Sequence, residues 1–328
     1  MTRWTTQALA GTGAVLAALL AGACSVPVDE SPEMSPRVAP APEAESDLPR
    51  WERLDGLDVP RDDFGTAVVG DEIWVLGGMT GDRGTRLDSV EVLDTTTGRW
   101  RTSPVTVPEG LASFESAAVG RRIYLFGGLD VRSRASDFAA VLDTRTGSWR
   151  RLPELPTARY AHTVTLHEGL IHVIGGEGPD GAVEQVDVFN PATESWTTGT
   201  PMPLVRNSHD AVSTDEGIHV LGGWRDGAPS DVVQTYDPTA GSWTRQEPLP
   251  EPMSRAGAAA LDGRLWVSLH AASYVLDLRT GDWSTANPLT VSRHGLGYVA
   301  HEGRIYGIGG CTPSPLRDVR TVDVLEVL

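Results

Sequence analysis

Four arginines at equivalent places in the chain are the side chains with the clearest potential for chemistry. Each stands 17 residues before the second glycine of a Gly-Gly pair, and a histidine follows two of them after three residues. Guanidinium groups bind carboxylates and phosphates through paired hydrogen bonds, so four on one face would form an anion clamp. The alternative is a scaffold arginine that pairs with neighbouring strands. The candidate ligand-binding residues are Arg61, Arg159, Arg206 and Arg293, with His162 and His209.

The segments that follow the Gly-Gly pairs differ from one another and contain several arginines. Variable loops on a rigid scaffold are where proteins commonly place recognition. Trp224 and Arg225 begin one of these segments, and a tryptophan beside an arginine can stack on a sugar ring or an aromatic group. The alternative is a tryptophan that packs on the next repeat. We therefore add Trp224 and Arg225 to the candidate ligand-binding residues.

Catalytic and metal-binding patterns are weak. His167-Glu168-Gly169 and His301-Glu302-Gly303 occupy matching turns of two repeats, and neither completes a His-Glu-x-x-His zinc motif. The chain has neither a Gly-x-Ser-x-Gly elbow nor a cysteine-rich metal cluster. The sequence therefore assigns no catalytic residue, no metal site and no cofactor, and it favours a protein that is not an enzyme.

A repeat of about fifty residues positions these side chains. Apolar runs end in Gly-Gly pairs, and the first glycines of the first four pairs are separated by 50, 48 and 47 residues. Repeats of this length that contain only short strands and turns are typical of propeller blades, since a four-stranded sheet must bury its faces against neighbours. Tryptophans follow the same period at Trp51, Trp100, Trp149, Trp196, Trp243 and Trp283.

The repeats resemble those of the kelch family. Residues 159–196 show the pattern most fully, with Arg159, His162, Gly175-Gly176, Asn190, Thr193 and Trp196 in the expected order. The resemblance extends from about residue 50 to 328. It implies an all-β propeller whose ligand surface is formed by the loops between blades and the loops that follow Gly-Gly.

The two ends of the repeat region predict how the ring closes. The fifth repeat has Leu265–His270 in place of a Gly-Gly run, and the sixth ends at Leu328 without room for an outer strand. Trp51-Glu52-Arg53-Leu54 resembles Trp149-Arg150-Arg151-Leu152, an outer strand of another repeat. We therefore predict a six-bladed kelch-type β-propeller over residues 50–328, closed by an N-terminal strand in the last blade.

The N-terminus resembles a lipoprotein-type signal peptide over residues 1–23. A short basic start is followed by the apolar segment Ala8–Ala21 and then by small residues that lead to Cys24, the candidate lipidation site. Residues 24–49 form a Pro/Glu-rich segment that predicts a disordered tether. The alternatives are a plain signal peptide and, for an exported protein, a disulfide between Cys24 and Cys311. If Cys24 is acylated, Cys311 is interpreted as a small buried hydrophobic residue.

Charge and resemblance together define the functional hypotheses. A net charge of −17 and a pI near 4.8 argue against nucleic-acid binding. We predict an exported, envelope-anchored monomer that presents one propeller face to a protein or carbohydrate and contacts the membrane through its N-terminal lipid only. The alternative is a sugar-acting propeller enzyme, similar to the bacterial sialic acid mutarotase or to galactose oxidase. A buried, unpaired carboxylate or histidine in the channel with a strongly shifted pKa would favour that enzyme, whereas a channel lined by backbone and apolar groups with a broad polar rim would favour the binding module.

Overall fold

The computed structural model describes residues 48–81 and 84–327. They form six four-stranded antiparallel sheets and four two-stranded hairpins, with one short 3-10 turn at Pro108–Gly110. None of the described residues belongs to a helix long and apolar enough to cross a membrane. The predicted signal peptide, Cys24 and most of the predicted tether lie outside the described residues.

The first three blades follow an N-terminal strand, β1 (Trp51–Leu54). Blade 1 contains β2 (Gly65–Val69), β3 (Glu72–Leu76), the hairpin β4 (Met79–Thr80) and β5 (Thr85–Arg86), β6 (Ser89–Asp94) and β7 (Arg99–Thr106). Blade 2 contains β8 (Glu115–Val119), β9 (Arg122–Phe126), β10 (Ala139–Asp143) and β11 (Ser148–Arg151). Blade 3 contains β12 (Thr163–His167), β13 (Leu170–Ile174), the hairpin β14 (Glu177–Gly178) and β15 (Gly181–Ala182), β16 (Val186–Asn190) and β17 (Ser195–Thr198).

The last three blades repeat this order. Blade 4 contains β18 (Asp210–Thr214), β19 (Gly217–Leu221), the hairpin β20 (Trp224–Arg225) and β21 (Ala228–Pro229), β22 (Val233–Asp237) and β23 (Ser242–Arg245). Blade 5 contains β24 (Gly257–Leu261), β25 (Arg264–Leu269), β26 (Ala272–Asp277) and β27 (Asp282–Thr285). Blade 6 contains β28 (Gly297–His301), β29 (Arg304–Ile308), the hairpin β30 (Cys311–Pro313) and β31 (Leu316–Asp318), and β32 (Val322–Glu326).

The N-terminal strand completes the last blade. The sheet of blade 6 has the order β1-β32-β29-β28, and Trp51 pairs with Leu325 in antiparallel register. The innermost strands contact one another in a closed cycle, from β2 through β8, β12, β18, β24 and β28 back to β2. The described residues therefore form a closed ring of six blades.

Apolar clusters between the blades stabilise this ring. Six buried clusters each combine side chains of two adjacent blades, as where Trp74 of blade 1 joins Phe114 of blade 2. The repeated tryptophans of the outer strands link the same neighbours, because each indole N–H donates to a backbone carbonyl of the preceding blade. The acceptors of Trp51, Trp100, Trp149, Trp196, Trp243 and Trp283 are the carbonyls of Asn287, Asp55, Thr106, Pro153, Thr200 and Glu247.

The Gly-Gly pairs are needed where the second strand meets the inner strand of its own blade. Gly78 has a φ of 92°, and a Cβ there would lie 2.6 Å from the carbonyl oxygen of Asp62 and 2.7 Å from the Cβ of Phe64. A side chain is excluded both by that contact and by the left-handed backbone. Blade 5 avoids the requirement because a direct hairpin through His270, with a φ of 53°, joins β25 to β26.

The structure corrects the interpretation of Cys311 as an unpaired hydrophobic residue. It is fully buried, as expected, but it is disulfide-bonded. The chain contains only one other cysteine, Cys24, which lies outside the described residues. One sulfur cannot form both a disulfide and a lipid thioether, so a disulfide between the two cysteines and lipidation of Cys24 exclude each other.

Candidate functional site

A closed ring of backbone hydrogen bonds surrounds the central channel where the inner strands begin, an end that we call the channel mouth. The N–H of one residue in each blade donates to the carbonyl of its counterpart in the preceding blade, over 2.8–3.3 Å. All six residues are left-handed, with φ between 49° and 60°, although five are not glycine. Such backbone is concentrated at functional sites. The ring consists of Asp63, Ser113, Ala161, Ser208, Arg255 and Gly295.

An arginine spans three blades at this mouth. The Nη2 of Arg255 in blade 5 donates to Asp63 Oδ1 at 2.6 Å and to Asp62 Oδ2 at 3.1 Å, both in blade 1. It passes the blade 6 residue Gly295, where a Cβ would lie only 2.8 Å from Arg255 Nη2. The side chain of Arg255 is 25% exposed at the mouth, and its Nε atom is buried.

Carboxyl groups with raised pKa values line the same channel. Burial raises the pKa of Glu115 well above its usual range, and the charges of Asp210 and Asp63 raise it further. Burial also raises the pKa of Asp210 to about 7, against the hydrogen bonds from the N–H groups of Ala258 and Ala211. Glu115 and Asp210 are the first residues of the inner strands β8 and β18, and Asp63 belongs to the ring of the mouth, so all three lie at the same end of the channel. A carboxyl group such as Asp210, with a pKa of about 7, can exchange protons near neutral pH.

Asp62 completes this group of proton-binding residues. Burial, followed by the charge of Asp63, raises its pKa to about 8, whereas Arg255 acts in the opposite direction. The mouth therefore combines one partly exposed cation with several carboxyl groups that differ in proton affinity.

The four predicted arginines do not reach this mouth. All four are fully buried. Arg61 pairs with Glu91 at 2.6 Å, Arg293 with Asp323 at 2.8 Å, Arg159 with Asp187, and Arg206 with the Gln234 amide oxygen at 2.6 Å. They also donate to backbone carbonyls such as that of Gly77, 2.9 Å from Arg61. The geometry supports the scaffold alternative, because buried and paired guanidinium groups offer no accessible face to an anion.

The two blades without this arginine carry apolar residues at both positions of the pair. In blade 2 the equivalents of Arg159 and Asp187 are Leu111 and Ala140, which belong to one buried cluster. In blade 5 they are Met253 and Tyr274, which also share a cluster. An arginine is thus present only in repeats that also have an acid or amide residue at the partner position. This correlation is visible in the sequence and indicates a structural pair.

The two predicted histidines are also interior residues. The Nε2 of His162 lies 3.1 Å from the carbonyl oxygen of Phe126, and the Nε2 of His209 lies 3.4 Å from Thr163 Oγ1. Burial lowers the pKa of each to about 3, and the neighbouring arginine of the same repeat adds to the shift. The equivalent positions of blades 1 and 2 hold Phe64 and Phe114, so the position is one of packing.

Trp224 and Arg225 are the predicted site residues that lie on the surface. Trp224 is 40% exposed, and Arg225, 38% exposed, pairs with Asp226 at 3.1 Å. Within the part of the chain that the structure describes, the exposed large hydrophobic residues are Val131, Trp224 and Leu316. All three lie in segments that follow Gly-Gly positions, in blades 2, 4 and 6. We call these three residues the apolar rim.

Two groups of potential metal ligands occur among the described residues. The first contains Asp62, Cys311 and Asp318, but the disulfide-bonded sulfur of Cys311 provides no thiolate. The second, Asp71 with His301 and Glu302, lies at exposed turns. Neither arrangement indicates a dedicated metal centre.

Comparison with known proteins identifies the fold family. Residues 63–268 match the profile of the KLHDC2/KLHL20/DRC7 Kelch-repeats domain. The chain belongs to the kelch-repeat family. This kelch propeller is similar to a solved structure titled "Structure of YjhT", with a TM-score of 0.72 and 17% identity, covering 82% of this chain and 95% of that one. That similarity concerns the fold alone.

Two curated relatives match shorter parts of the kelch propeller. The N-(sulfonatooxy)prop-2-enimidothioate sulfolyase of Thlaspi arvense is 29% identical over 129 residues, which are 37% of each protein. The Kelch-like protein terF of Aspergillus terreus (strain NIH 2624 / FGSC A1156) is 34% identical over 116 residues, 34% of this chain and 23% of terF. The matched segments thus span little more than a third of these relatives at most.

The kelch pattern did not indicate the channel-mouth residues. Arg255 and Asp63 stand two residues after the arginine position of their repeats, where the six blades of the propeller have five different residue types. Aligning the repeats would have revealed this variability at one fixed position. The galactose oxidase-like alternative loses its cysteine, because Cys311 is disulfide-bonded and cannot form a cross-link to tyrosine.

Proposed function

We propose that this kelch propeller is an exported binding module that engages a protein partner through the apolar rim around its channel mouth. The observation that carries this proposal is the placement of Val131, Trp224 and Leu316 on one end of the ring. Isolated exposed hydrophobic residues are common, but three in corresponding segments of alternate blades surround one surface.

The surroundings of the rim support a specific contact. Tryptophan and arginine are enriched among the residues that dominate binding energy, and Trp224 and Arg225 are adjacent in β20. An isolated bridge joins Trp224 to Asn207, one residue before the ring residue Ser208, so β20 is held against the channel mouth. A carbohydrate that stacks on Trp224 is the alternative ligand.

Removal of the rim should abolish partner capture while the fold is retained. We expect the triple variant Val131→Ser, Trp224→Ala and Leu316→Ser to weaken binding of the partner at least a hundredfold. The substitutions remove exposed side chains that would contact the partner and leave the buried contacts of the propeller unchanged. The measurement is cross-linking and pull-down of envelope proteins from the source cells, with a glycan array for the alternative. Arg279→Gln, at an 82% exposed position on the opposite end, is the control. Unchanged capture by the triple variant would contradict the proposal.

Export is part of the same proposal. The lipoprotein-type sequence before Cys24 favours it, and a disulfide at Cys311 is typical of oxidising compartments. Anchoring through lipidated Cys24 stays a prediction that competes with the disulfide. Non-reducing peptide mapping of the native protein separates them: an acylated N-terminal peptide supports the anchor, and a cross-linked Cys24–Cys311 peptide contradicts it.

A sugar-acting enzyme is a second candidate because of the carboxyl groups in the channel. Glu115 with its raised pKa meets the criterion stated above for such an enzyme, and Asp210 in the same lumen could act as its proton-exchanging partner. One kelch relative, the sulfolyase, is an enzyme by name. The proposed reaction class is proton transfer at the anomeric centre of a sugar bound at the mouth.

Exchange between sugar anomers tests this candidate. If it is correct, the protein accelerates the interconversion of at least one aldose or acidic sugar in a panel followed by NMR. Glu115→Gln, which keeps the side-chain shape, should then lower the rate about a hundredfold, since it removes the general acid. Asp282→Asn, at an exposed turn on the opposite end of the propeller, is the control. The absence of catalysis across the panel would contradict the candidate and leave the binding proposal intact.

A further inference from the structure

A second surface lies at the end of the propeller opposite the channel mouth. A groove of about 390 Å³ opens there between blades 2 and 3. It is formed by the turns that join β8 to β9 and β10 to β11 in blade 2, and by the turns that join β12 to β13 and β16 to β17 in blade 3. Its volume lies within the range of small-molecule binding sites.

Three arginines give the groove a positive charge. Arg121, Arg122 and Arg145 line it and are exposed, and their guanidinium groups form neither an ion pair nor a hydrogen bond with the described residues. The carboxylate that lines it is Asp143, whose Oδ1 already accepts the N–H groups of Arg145 and Thr146. The nearby Glu194 is paired with Arg150, which lowers the pKa of this carboxyl group, and the charge of Arg122 lowers it further, so Arg122 is partly matched. Three lining cations against one lining anion leave the groove positive in a chain of net charge −17.

The blade scaffold does not require these arginines. At the turn where blade 2 has Arg121-Arg122, blade 1 has Asp71-Glu72, of opposite charge, and the fold of that turn is the same. In blade 6 the equivalent Arg304 is next to Glu326 at 3.5 Å, so its charge is matched. Arg121 and Arg145 line the groove with no ion pair among the described residues and no structural duty that explains them, and they point to a ligand with negative charge.

The chemistry of the lining narrows the ligand class. Guanidinium groups bind carboxylate and phosphate oxygens in a fork geometry. The partly exposed Val119 and Pro191 also line the groove and provide an apolar surface for a ring. We infer that the groove binds a sugar that carries a carboxylate or a phosphate group. This site is separate from the apolar rim, so the protein would have a binding surface at each end.

Titration of the full-length protein with four small probes tests the inference. Glucuronate and glucose 6-phosphate carry the two acid groups on a sugar, glucose lacks the charge, and inorganic phosphate lacks the ring. We expect saturable binding of a charged sugar by NMR or calorimetry. Whichever of glucuronate and glucose 6-phosphate binds with the higher affinity shows whether the site prefers a carboxylate or a phosphate group. No saturable binding up to about 10 mM would overturn the inference, as would equal affinity for glucose or for inorganic phosphate.

Matched variants assign the binding to the groove. Arg145→Gln and Arg122→Gln should each weaken binding of the charged sugar at least tenfold, because each removes one charged donor. The control is Arg279→Gln in blade 5, at the equivalent turn position. The backbone N–H of Arg145 and that of Arg279 each donate to the aspartate of their own turn at 2.9 Å. Arg279→Gln should change affinity less than twofold; equal loss in control and groove variants would contradict the site. The apolar-rim triple variant should bind the sugar normally, so the two proposals fail independently.

Discussion

Replacement of Arg159 by leucine should lower the free energy of unfolding by about 3–5 kcal/mol. The change leaves Asp187, only 2% exposed, as a buried carboxylate without its cation. It also removes donors to the carbonyls of Thr157 and Gln185, at 3.0 and 3.1 Å. Asp187→Ala should be costly for the converse reason. Urea unfolding followed by tryptophan fluorescence measures both losses.

The double variant Arg159→Leu and Asp187→Ala should regain at least half of the loss expected for Arg159→Leu alone. Blade 2 already has this apolar combination, Leu111 with Ala140, inside a buried cluster. Replacing both members of a buried ion pair removes the uncompensated charge, so the two substitutions should be strongly non-additive. Arg279→Leu at the surface is the control and should cost less than about 0.5 kcal/mol. A stable Arg159→Leu protein would contradict the scaffold role of this arginine.

The blades could be predicted from the repeat pattern because each repeated residue meets a structural requirement that recurs in every blade. Gly78 is needed where the backbone of Asp62 comes within van der Waals distance, and Trp100 is needed where an indole reaches the carbonyl of Asp55 in the neighbouring blade. Such requirements recur in every repeat and leave the same residue type at a fixed spacing. They identify the kelch family and the ring of six sheets.

The candidate sites depend on what differs between repeats, so the repeat pattern could not predict them. Equal spacing placed Arg61 and Arg293 at equivalent positions, but it did not show that both side chains point into the blade interior. Conversely, the charged groups that surround Arg255 and Glu115 belong to other blades. These groups come together only when the ring closes. The positive groove needs two adjacent blades in the same way.

The pH dependence of stability should reveal the two buried histidines most directly. His162 and His209 have pKa values of about 3 in the folded protein, below the ordinary value of 6.5. The unfolded chain therefore binds protons that the folded chain rejects, and stability is lost as the pH falls from about 6.5 towards 3. Each histidine should cost roughly 2 kcal/mol between pH 6.5 and pH 5.

The carboxyl groups of Asp62 and Asp210 change the stability of the protein with pH in the opposite direction. Asp62 and Asp210 have raised pKa values of about 8 and about 7, so the folded protein holds protons that the unfolded chain releases. Their contribution is fully present below the ordinary aspartate pKa of 3.8 and is lost progressively from there up to about pH 7 for Asp210 and about pH 8 for Asp62. Between about pH 4 and 6.5 the two histidines and the two carboxyl groups therefore oppose one another, and above about pH 6.5 the carboxyl groups alone lower the stability.

The variant His162→Phe with His209→Phe separates the two contributions, because blades 1 and 2 hold Phe64 and Phe114 at the same position. Between pH 5 and 6.5 the slope of stability against pH should be lower for the double variant than for the wild type, by up to about 2.7 kcal/mol per pH unit for two protons. Asp210→Asn should instead raise that slope by up to about 1.4 kcal/mol per pH unit between about pH 4 and 7. Chemical denaturation at a series of pH values measures all three proteins. Parallel curves for the wild type and the phenylalanine variant would mean that these histidines take up protons without unfolding, and that the interior around them is open to water.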